Sequence, residues 1–338
     1  MPRQPTIATV AEHAGVAIST VSRYLNGHYV SHSAKQRIAK VIDKLKYTRS
    51  TTARNLSLGR TGCIGVVVDS TLDPWFVQLL AGIEEELATR DTSLMLASLE
   101  LRGHYDADLV FQWVREKRLD GLILAKSQKR ERLIIQAAVE AKIPTVTIAP
   151  DEVVDHVHVV RSNNTAGGAA VADLLSDLGH RRIAFLGGPE HSIDMKNRLR
   201  GFRQRLEHLG VPLDPSLIFT CPNWEPEAGM DFGRTLLAKP LSITALVTGN
   251  DALALGFMRV AQQRNIKIPQ AISVVGFDNI PEGALVWPGL TTVAPPTREM
   301  GRAACRALFP NTAATENSDV VDYPMQLIVR ESTGPAKA

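Results

Sequence analysis

Apolar residues near the amino terminus recur at helical spacing in two short stretches separated by a glycine. Ile7 and Val10 begin the pattern of the first stretch, and Val21 and Leu25 carry it through the second. Gly15 lies between them and can adopt the positive φ angle that a tight turn requires. Helix, short turn and helix form the helix-turn-helix motif, whose second helix enters the major groove of DNA. The pattern therefore predicts sequence-specific DNA binding by this segment.

Farther along the chain, short β-rich runs alternate with amphipathic helical stretches. The runs that we predict as strands are 63–68, 93–97, 121–124, 145–148, 182–186, 245–247 and 273–277. Between the first two runs, Phe76, Leu79 and Ile83 share one face of a helix. Such alternation predicts parallel sheets with helices on both faces, and the pattern starts again near Asn164. We therefore expect two doubly wound α/β halves, which bind ligands at the carboxyl ends of their strands.

Charge is distributed unevenly along the chain. The 338 residues carry a net charge of +3, and a composition with 44% apolar and 22% charged residues is that of a soluble globular protein. Residues 1–60 contain ten Lys or Arg residues against Glu12 and Asp43, a net charge of +8. The remainder has 28 basic and 33 acidic residues, a net charge of −5. A basic head on an acidic body indicates a polyanionic partner for the head alone, here double-stranded DNA.

The sequence contains no pattern that indicates a metal site, a catalytic site, secretion or a membrane-spanning segment. Cys63, Cys221 and Cys305 are widely spaced and form no metal-binding or disulfide pattern, so we expect neither a metal nor a cofactor. His156 and His158 lack the partners that a catalytic or metal site needs, and we expect no enzymatic activity. The sequence has no secretory leader and no membrane-spanning apolar run, which leads us to expect a cytoplasmic protein without a membrane partner.

A series of short motifs extends in order over nearly the whole chain. Those in the head are Gly15-Val16, Thr20-Val21-Ser22-Arg23, Leu25-Asn26, Val30-Ser31, Lys35, Arg37 and Tyr47. Those in the body are 64–68, Arg198, Gly201-Phe202, Asn250-Asp251, 272–278 and 290–293. Together they resemble the LacI/GalR family of bacterial transcriptional regulators. The resemblance implies an N-terminal all-α helix-turn-helix head and an α/β periplasmic-binding-protein-like body of two doubly wound parallel-sheet subdomains.

The chain divides into four parts. We expect a DNA-binding domain at 1–48, a hinge helix or linker at 49–60, an effector-binding and dimerisation domain at 61–330, and a flexible tail at 331–338. By the resemblance, the third part contains one subdomain of 61–162 with 291–330, and a second of 163–290. The last strands, near 291–293 and 325–329, are thus expected to return to the first subdomain.

By the same resemblance, residues of the head and hinge are expected to contact DNA. They are Thr6, Ile18, Ser19, Thr20, Ser22, Arg23, Asn26, Ser31, Ala53 and Leu56. Ile18 can touch a thymine methyl group, Ser19 discriminates weakly between bases, and Arg23 can make a bidentate contact to guanine. Leu56 matches the hinge leucine that wedges into the minor groove, and a plain flexible linker is the alternative. Ala17 stands where Ser is usual, so the second helix should lack a side-chain cap.

A second set of residues is expected to bind a small-molecule effector in the body. They are Trp75, Phe76, Lys126, Arg198, Trp224, Asn250 and Asp278. Carboxylates and amides pair with vicinal hydroxyls, Arg binds oxygens in a planar fork, and aromatic rings supply flat apolar walls. Asp251 is expected to be structural, as a helix cap.

The chemical class of this effector is left open by the sequence. Ala149 stands where relatives that bind neutral sugars often have a carboxylate, and Lys126, Arg161 and Lys196 lie near predicted strand ends. These features favour an anionic effector, a sugar acid or a sugar phosphate. A neutral sugar is the alternative.

The resulting prediction is a sequence-specific transcriptional regulator, most simply a repressor of a carbohydrate or sugar-acid utilisation operon under allosteric control. A homodimer would hold a near-palindromic operator with two heads about one helical turn apart. The alternatives are an activator or dual regulator with a neutral sugar or another metabolite as effector, and a solute-binding module without DNA function. The sequence does not indicate whether the effector is an inducer or a co-repressor.

Overall fold

The computed structural model describes residues 5–48, 55, 59–69, 71, 73–101, 104–125, 131–309 and 320–337. The chain forms two compact units, Met1–Gly62 and Cys63–Ala338. Ala53, Leu56 and Lys126, which the sequence predicts as site residues, lie outside the described residues. In the part of the chain that is described, no helix is both long enough and apolar enough to cross a membrane.

The first unit, the head, contains three helices in its described part. They are α1 (Ile7–Ala14), α2 (Ile18–Leu25) and α3 (His32–Leu45). Thr6 caps α1, because its hydroxyl accepts from the Thr9 amide at 3.3 Å while the Thr9 hydroxyl accepts from the Thr6 amide at 3.2 Å. Gly15 ends α1 with a φ angle of 59°, the left-handed conformation that the turn requires. The predicted helix-turn-helix is confirmed.

A small apolar core holds the head together. Val10, Val21 and Ile38, one from each helix, are completely buried. Tyr24 and Leu25 are half-buried and pack against the same cluster. Full burial of an aliphatic side chain contributes about 1.5–3 kcal/mol, so these few contacts are enough to fix the orientation of α2. The side of α2 that is opposite this core therefore faces outward.

The second unit, the body, begins with a six-stranded parallel sheet in its described residues. Its strands are β1 (Cys63–Val68), β2 (Ser93–Ser98), β5 (Gly121–Ala125), β6 (Thr145–Ile148), β7 (His158–Ser162) and β13 (Val320–Tyr323). Their order across the sheet is β13-β7-β6-β5-β1-β2, and every neighbouring pair is parallel. β3 (Glu100–Leu101) and β4 (His104–Tyr105) form a separate antiparallel ribbon. The central strands are buried on both faces, as parallel sheets require.

A second six-stranded sheet follows. Its strands are β8 (Ile183–Gly187), β9 (Ile218–Thr220), β10 (Ala245–Thr248), β11 (Ser273–Phe277), β12 (Thr291–Ala294) and β14 (Gln326–Ile328). Their order is β14-β12-β11-β10-β8-β9, with only β14 antiparallel to its neighbour. In each sheet the strand that comes first in the chain, β1 or β8, lies inside the sheet with later strands on both sides of it. This is the doubly wound arrangement.

Helices cover both faces of each sheet. The first sheet packs with α4 (Pro74–Leu87), α5 (Asp108–Arg115), α6 (Arg132–Glu140) and α12 (Thr297–Ala307), which together form the first lobe. The second sheet and its helices form the second lobe, with α7 (Asn164–Asp177), α8 (Ile193–His208), α9 (Pro226–Leu236), α10 (Asp251–Gln263) and α11 (Pro281–Leu285). Two apolar clusters per lobe, one on each face of its sheet, confirm the predicted pair of doubly wound subdomains.

The described chain passes between the lobes three times, and this corrects one prediction. β12 pairs with β11, and β14 pairs with β12, so both strands lie in the second sheet. The expected return of 291–330 to the first subdomain is therefore wrong at its two ends. α12 and β13 do return, because Met300 and Ala304 pack in the first core and β13 pairs with β7. Helical or strand periodicity cannot reveal such an exchange, since it carries no information about which strands pair.

The expected flexible tail is also corrected. Ser332 is completely buried, and its hydroxyl donates to the Val274 carbonyl at 2.6 Å. The Gly334 carbonyl accepts from His180 Nε2 at 3.0 Å, and the Ala336 amide donates to the Leu178 carbonyl at 2.8 Å. Residues 331–337 thus pack against the second lobe through hydrogen bonds, which polar composition alone does not reveal.

Two glycines allow α7 and α8 to cross at close range. A Cβ atom at Gly168 would lie 2.1 Å from the Arg198 carbonyl oxygen, and one at Gly201 would lie 1.9 Å from the Thr165 carbonyl oxygen. Each helix therefore contacts the backbone of the other at a position where no side chain fits. This crossing positions Asn164, at the start of α7, near the first turns of α8.

Candidate functional site

The face of α2 that is opposite the head core is exposed. Ile18 has 52% of its surface exposed. Ser19 and Arg23 are exposed on the same side of the helix, and Asn26 is exposed just beyond its end. Val21 is completely buried on the other side. The outward face of α2 thus combines an apolar group, a hydroxyl and a guanidinium, which are groups that can contact base edges in the major groove.

The other predicted DNA residues of the head have partly structural positions. Thr20 and Ser22 are half-buried on α2. Thr6 and Ser31 are the N-caps of α1 and α3, and Ser31 Oγ accepts from the third amide of α3 at 3.4 Å. Ala17 gives α2 no side-chain cap, as the sequence predicts. The first turn of α2 therefore has amides that no capping side chain satisfies.

A cavity in the body lies at the carboxyl ends of strands from both sheets. It is lined by Asp69, Ala149, Asp151, His191, Ser192, Asp194, Arg198, Trp224, Asn250 and Asp278. The first three follow β1 and β6 of the first lobe, and the others belong to the second lobe. The structure thus brings together four predicted effector residues at the edge where doubly wound sheets bind ligands. Those four are Arg198, Trp224, Asn250 and Asp278.

Arg198 is the centre of a hydrogen-bond network beside this cavity. Its side chain is 6% exposed, and its Nη2 donates to Asp278 Oδ1 at 2.9 Å. Its Nε donates to Asn164 Oδ1 at 2.7 Å, and its Nη1 donates to the Gly249 carbonyl. The guanidinium also lies over the Phe277 ring, with Cζ 4.7 Å from the ring centroid. The positive charge is therefore balanced within the protein by a buried carboxylate and two neutral acceptors.

Asn164 extends this network to the first turn of α8. Its Nδ2 donates to Asp194 Oδ1 at 2.8 Å, so Asp194, Asn164, Arg198 and Asp278 form one chain of hydrogen-bonded side chains. Asn164 is buried, and its amide orientation is fixed because one end faces an acceptor and the other faces a donor. Three residues that line the cavity, Asp194, Arg198 and Asp278, are thereby linked in one network, with Asn164 joining the first two.

Trp224 forms one wall of the cavity against two glycines. A Cβ atom at Gly188 would lie 2.5 Å from Trp224 Cζ3, and one at Gly249 would lie 2.7 Å from the same atom. The indole can therefore lie directly on the ends of β8 and β10. Asn250 Nδ2 donates to the Trp224 carbonyl at 3.1 Å, while its Oδ1 caps α10 by accepting from the Leu253 amide at 2.9 Å. Asn250 thus supports the wall as well as lining the cavity.

β11 ends in a strained turn at the cavity. Asp278 has a φ angle of 101° and Asn279 one of 50°, in a region that residues other than glycine seldom adopt. Beneath the turn, the buried Asp251 accepts from the Ile280 amide at 2.9 Å and from the Thr292 hydroxyl at 2.6 Å. Burial raises the pKa of the Asp251 carboxyl well above its ordinary value. Asp251 is structural, but the preceding asparagine caps α10 in its place.

The structure does not bring Trp75 and Phe76 to the cavity. They are 3% and 1% exposed, and their rings pack edge to face at a centroid distance of 5.1 Å in the first core. Asp73 caps α4 and Pro74 begins it, so both aromatic residues lie in the first turn of a helix whose inner face is buried. The helical face that includes Phe76 is therefore a core face.

Carboxylates outnumber cations among the described residues that line the cavity. Asp69, Asp151, Asp194 and Asp278 stand against the guanidinium of Arg198 and the imidazole of His191. The pKa of Asp151 is raised because burial disfavours its charged form. Within the described residues, no group of three or more His, Cys, Asp or Glu side chains could hold a metal ion. The lining is suited to accept hydrogen bonds from hydroxyl groups.

Sequence reasoning missed several of these polar residues. Asp69 directly follows β1, and Asn164 follows β7, so the rule that polar residues at strand ends form ligand sites would have found both. Asp151 lies three residues beyond β6 and has a weaker signal of the same kind. Asp194 has no local signal, because its position follows from the crossing of α7 and α8.

Two family models match the chain. Residues 6–50 match bacterial regulatory proteins of the lacI family. Residues 172–333 match the periplasmic binding protein-like domain. The first match covers all three head helices, and the second covers much of the second lobe and the tail that packs on it.

Curated relatives resemble the chain over nearly its full length. The HTH-type transcriptional regulator DegA of Bacillus subtilis (strain 168) is 32% identical over 341 residues, which cover 98% of each chain. The ribose operon repressor of Escherichia coli (strain K12) is 31% identical over 307 residues, which cover 90% of this chain and 92% of that protein.

Solved structures show the same architecture. The transcriptional regulator CelR in complex with cellobiose has 27% identity and a TM-score of 0.72, over 97% of this chain and 99% of that one. The lac repressor dimer bound to operator has a TM-score of 0.84, over 98% of this chain and 100% of that one, and its 23% identity supports the fold alone. The chain belongs to the LacI family of bacterial regulatory proteins: it is a DNA-binding transcriptional regulator with a periplasmic-binding-protein-like effector domain, and not an enzyme.

Proposed function

We propose that this regulator acts in the cytoplasm as a homodimeric repressor of a carbohydrate-utilisation operon, controlled by a neutral sugar that binds in the cavity between the lobes. The single observation that carries the proposal is the cavity lining, in which Arg198 is neutralised by Asp278 and the other described side chains that can carry charge are three carboxylates and the imidazole of His191. The solved CelR complex contains cellobiose, which is an uncharged sugar, and the ribose operon repressor is named for the operon of an uncharged sugar.

The cavity lining favours a neutral sugar over the anionic effector that the sequence suggested. An anion needs donors with a net positive charge, but three guanidinium nitrogens of Arg198 already donate to protein acceptors. Arg161 pairs with Asp322 at 3.5 Å on the first sheet, at a side chain that is 47% exposed. The carboxylate oxygens of Asp69, Asp151 and Asp194 can accept hydrogen bonds from sugar hydroxyls. The Trp224 indole offers a flat apolar wall for a sugar ring.

The head is proposed to read DNA with the outward face of α2. Ile18 and Arg23 supply the specific contacts, one apolar and one bidentate, and Ser19 adds a weak one. Thr20, Ser22, Asn26 and the caps of α1 and α3 would contact phosphates and set the register. Ala53 and Leu56 remain proposed minor-groove residues on the strength of the family resemblance. Two such heads on a homodimer would bind a near-palindromic operator.

Two measurements test this proposal in sequence. Selection of bound duplexes from a random pool gives the operator, which we expect to be near-palindromic. Isothermal calorimetry with neutral pentoses, hexoses and disaccharides, and in parallel with sugar acids and sugar phosphates, then identifies the effector class. We expect binding by a neutral sugar that changes operator affinity. Exclusive binding of sugar acids or sugar phosphates would overturn the neutral effector and leave the DNA-binding regulator intact.

A further inference from the structure

The sequence contains one Asn-Gly pair, Asn26-Gly27, and the structure places it at the end of α2. Asn26 is the C-cap of this helix, and both residues are exposed. Gly27 has a φ angle of 73°, and a Cβ atom added to it would meet nothing within 4 Å beyond its chain neighbours. The pair therefore forms an open corner directly after the helix that is proposed to enter the major groove.

An asparagine that precedes a glycine can lose its side-chain amide by a reaction within the chain. The Gly27 nitrogen bonds to Asn26 Cγ and gives up its proton, through water, to the side-chain nitrogen. The bond from Cγ to Nδ2 breaks, and ammonia leaves. Water then opens the five-membered cyclic imide at either carbonyl, which gives aspartate or isoaspartate at position 26. Glycine favours ring closure because it has no Cβ to hinder its nitrogen and because its backbone rotates freely.

The folded end of α2 holds this pair in an unreactive geometry. The Gly27 amide donates to the Tyr24 carbonyl at 3.1 Å, and Asn26 Nδ2 donates to Ser22 Oγ at 3.5 Å. The ψ angle of Asn26 is 8°, which directs the Gly27 nitrogen away from the Asn26 side chain. Ring closure requires a large rotation of this angle and the loss of both hydrogen bonds. The reaction can therefore begin only when the end of α2 opens.

Little apolar contact opposes this opening. Val21 is completely buried, but Tyr24 and Leu25, in the last turn of α2, are only half-buried. Helix ends with few buried contacts open at a much lower free energy than the whole domain unfolds. DNA against the outward face of α2 would add contacts that exist only in the folded helix, and so would oppose the opening.

We propose that Asn26-Gly27 is a modification site, at which Asn26 converts to aspartate or isoaspartate in the DNA-free protein and is protected when the head is bound to DNA. The protection rests on the proposed function, because it needs α2 to lie against DNA. The conversion itself needs only the chain and water.

Conversion changes the charge of the proposed DNA-binding surface. Both products replace the neutral amide of Asn26 by a carboxylate, and isoaspartate also adds a methylene group to the main chain. The new charge lies at the carboxyl end of α2, where the helix dipole disfavours an anion. It also lowers the net charge of +8 that residues 1–60 present to phosphates. The converted protein should therefore bind DNA more weakly.

Peptide mapping by mass spectrometry tests the site on the full-length protein, aged at neutral pH either alone or with a random-sequence duplex at low salt. Asn265 is the matched control within the same molecule. It is exposed beyond the end of α10, and the Cβ-branched Ile266 follows it and hinders ring closure. Asn26→Gln is the matched variant, because its longer side chain cannot form the five-membered ring. Thermal unfolding checks that it is folded, and fluorescence anisotropy measures duplex binding before and after ageing.

We expect conversion at Asn26 and none above background at Asn265. Duplex at about ten times its Kd leaves about one tenth of the protein free, so it should slow the conversion about tenfold. Converted wild type should lose about threefold or more in duplex affinity, as for one pair of unit charges that repel at about 6 Å in water. Aged Asn26→Gln should keep the affinity that it had when fresh.

Equal conversion at Asn26 and Asn265 would overturn the modification site, whether or not Asn26→Gln folds. Conversion at the same rate in free and duplex-bound protein would overturn the protection by DNA. Full conversion with unchanged affinity would overturn the effect on binding. A protein that binds no duplex would contradict the proposed function and the protection together, whereas conversion of the free protein is measured without any DNA.

Discussion

The buried polar side chains beside the cavity form hydrogen bonds to one another, and these bonds determine which donors are left for a ligand. Asn164 and Asp278 are 114 residues apart in the chain, yet both accept hydrogen bonds from Arg198. Removing one of them would leave a buried partner unsatisfied, which costs about 1–3 kcal/mol. The polar residue types could be predicted from their positions at strand ends. The hydrogen bonds that occupy the Arg198 guanidinium could not, because its acceptors meet only in the folded lobe. For this reason the sequence favoured an anion where the structure favours a neutral ligand.

At the same scale, His180 makes stability depend on pH. It is 1% exposed, its Nε2 donates to the Gly334 carbonyl at 3.0 Å, and its Nδ1 accepts from the Thr244 hydroxyl at 2.9 Å. Burial lowers its pKa below the ordinary value of 6.5, so the unfolded chain binds the proton more tightly than the folded protein. The stabilisation is complete above pH 6.5 and is lost as the pH falls from there through the folded pKa.

Melting temperatures between pH 8 and about pH 5 should show this loss, since about 6.5 is the ordinary histidine pKa. His180→Gln should flatten the part of the profile below pH 6.5 that His180 contributes. His208→Gln, at an exposed position on α8, is the control and should keep the wild-type profile. An unchanged profile in His180→Gln would show that another group causes the pH dependence.

The outward guanidinium on α2 gives a second test at the residue scale. Arg23→Lys keeps the charge and loses the planar fork, so discrimination at one guanine of each half-site should fall by about 1–3 kcal/mol. Binding to operators that vary at that position, measured by fluorescence anisotropy, checks the loss. Lys40→Ala on α3 should weaken all sequences alike, because it removes one positive charge of the basic head, and charge carries no base preference. Equal discrimination in wild type and Arg23→Lys would remove Arg23 from base reading.

At the scale of elements, the close crossing of α7 and α8 sets the position of the cavity wall. Gly201→Ala would place a methyl group 1.9 Å from the Thr165 carbonyl oxygen, so the helices would have to separate. We expect a loss of about 1–3 kcal/mol in the free energy of unfolding, as for other overpacked sites. Chemical denaturation measures it. Arg203→Ala on the same helix is the control, because its pair with Glu207 is exposed and worth little. Equal stability of the two variants would mean that the crossing relaxes without cost.

Elements differed in how well their sequences predicted them. The strands at 63–68, 145–148 and 273–277 match the structure, because continuous apolar runs bounded by turns are typical of buried parallel strands. β9 and β13, at the edges of their sheets, were missed, since short and half-exposed strands have a weak pattern. The placement of β12 and β14 was wrong because pairing is decided between distant segments.

At the scale of the whole molecule, the uneven distribution of charge predicts that operator binding and effector binding depend differently on salt concentration. Residues 1–60 carry a net charge of +8 and the rest carries −5. Operator affinity should fall by about a thousandfold or more between 50 and 200 mM salt, because phosphate contacts release counterions. Binding of a neutral effector should change little over the same range. Anisotropy and calorimetry at matched salt concentrations test both, and a steep salt dependence of effector binding would contradict a neutral ligand.

The three passages of the chain between the lobes have a mechanical consequence. They occur between β7 and α7, between β12 and α12, and between β13 and β14, so the lobes share three covalent ties. A protease that severs one tie, for example at Pro296, would leave two fragments that each still contain parts of both lobes. The two other ties lie one in each fragment, so a single cut would not release one lobe from the other.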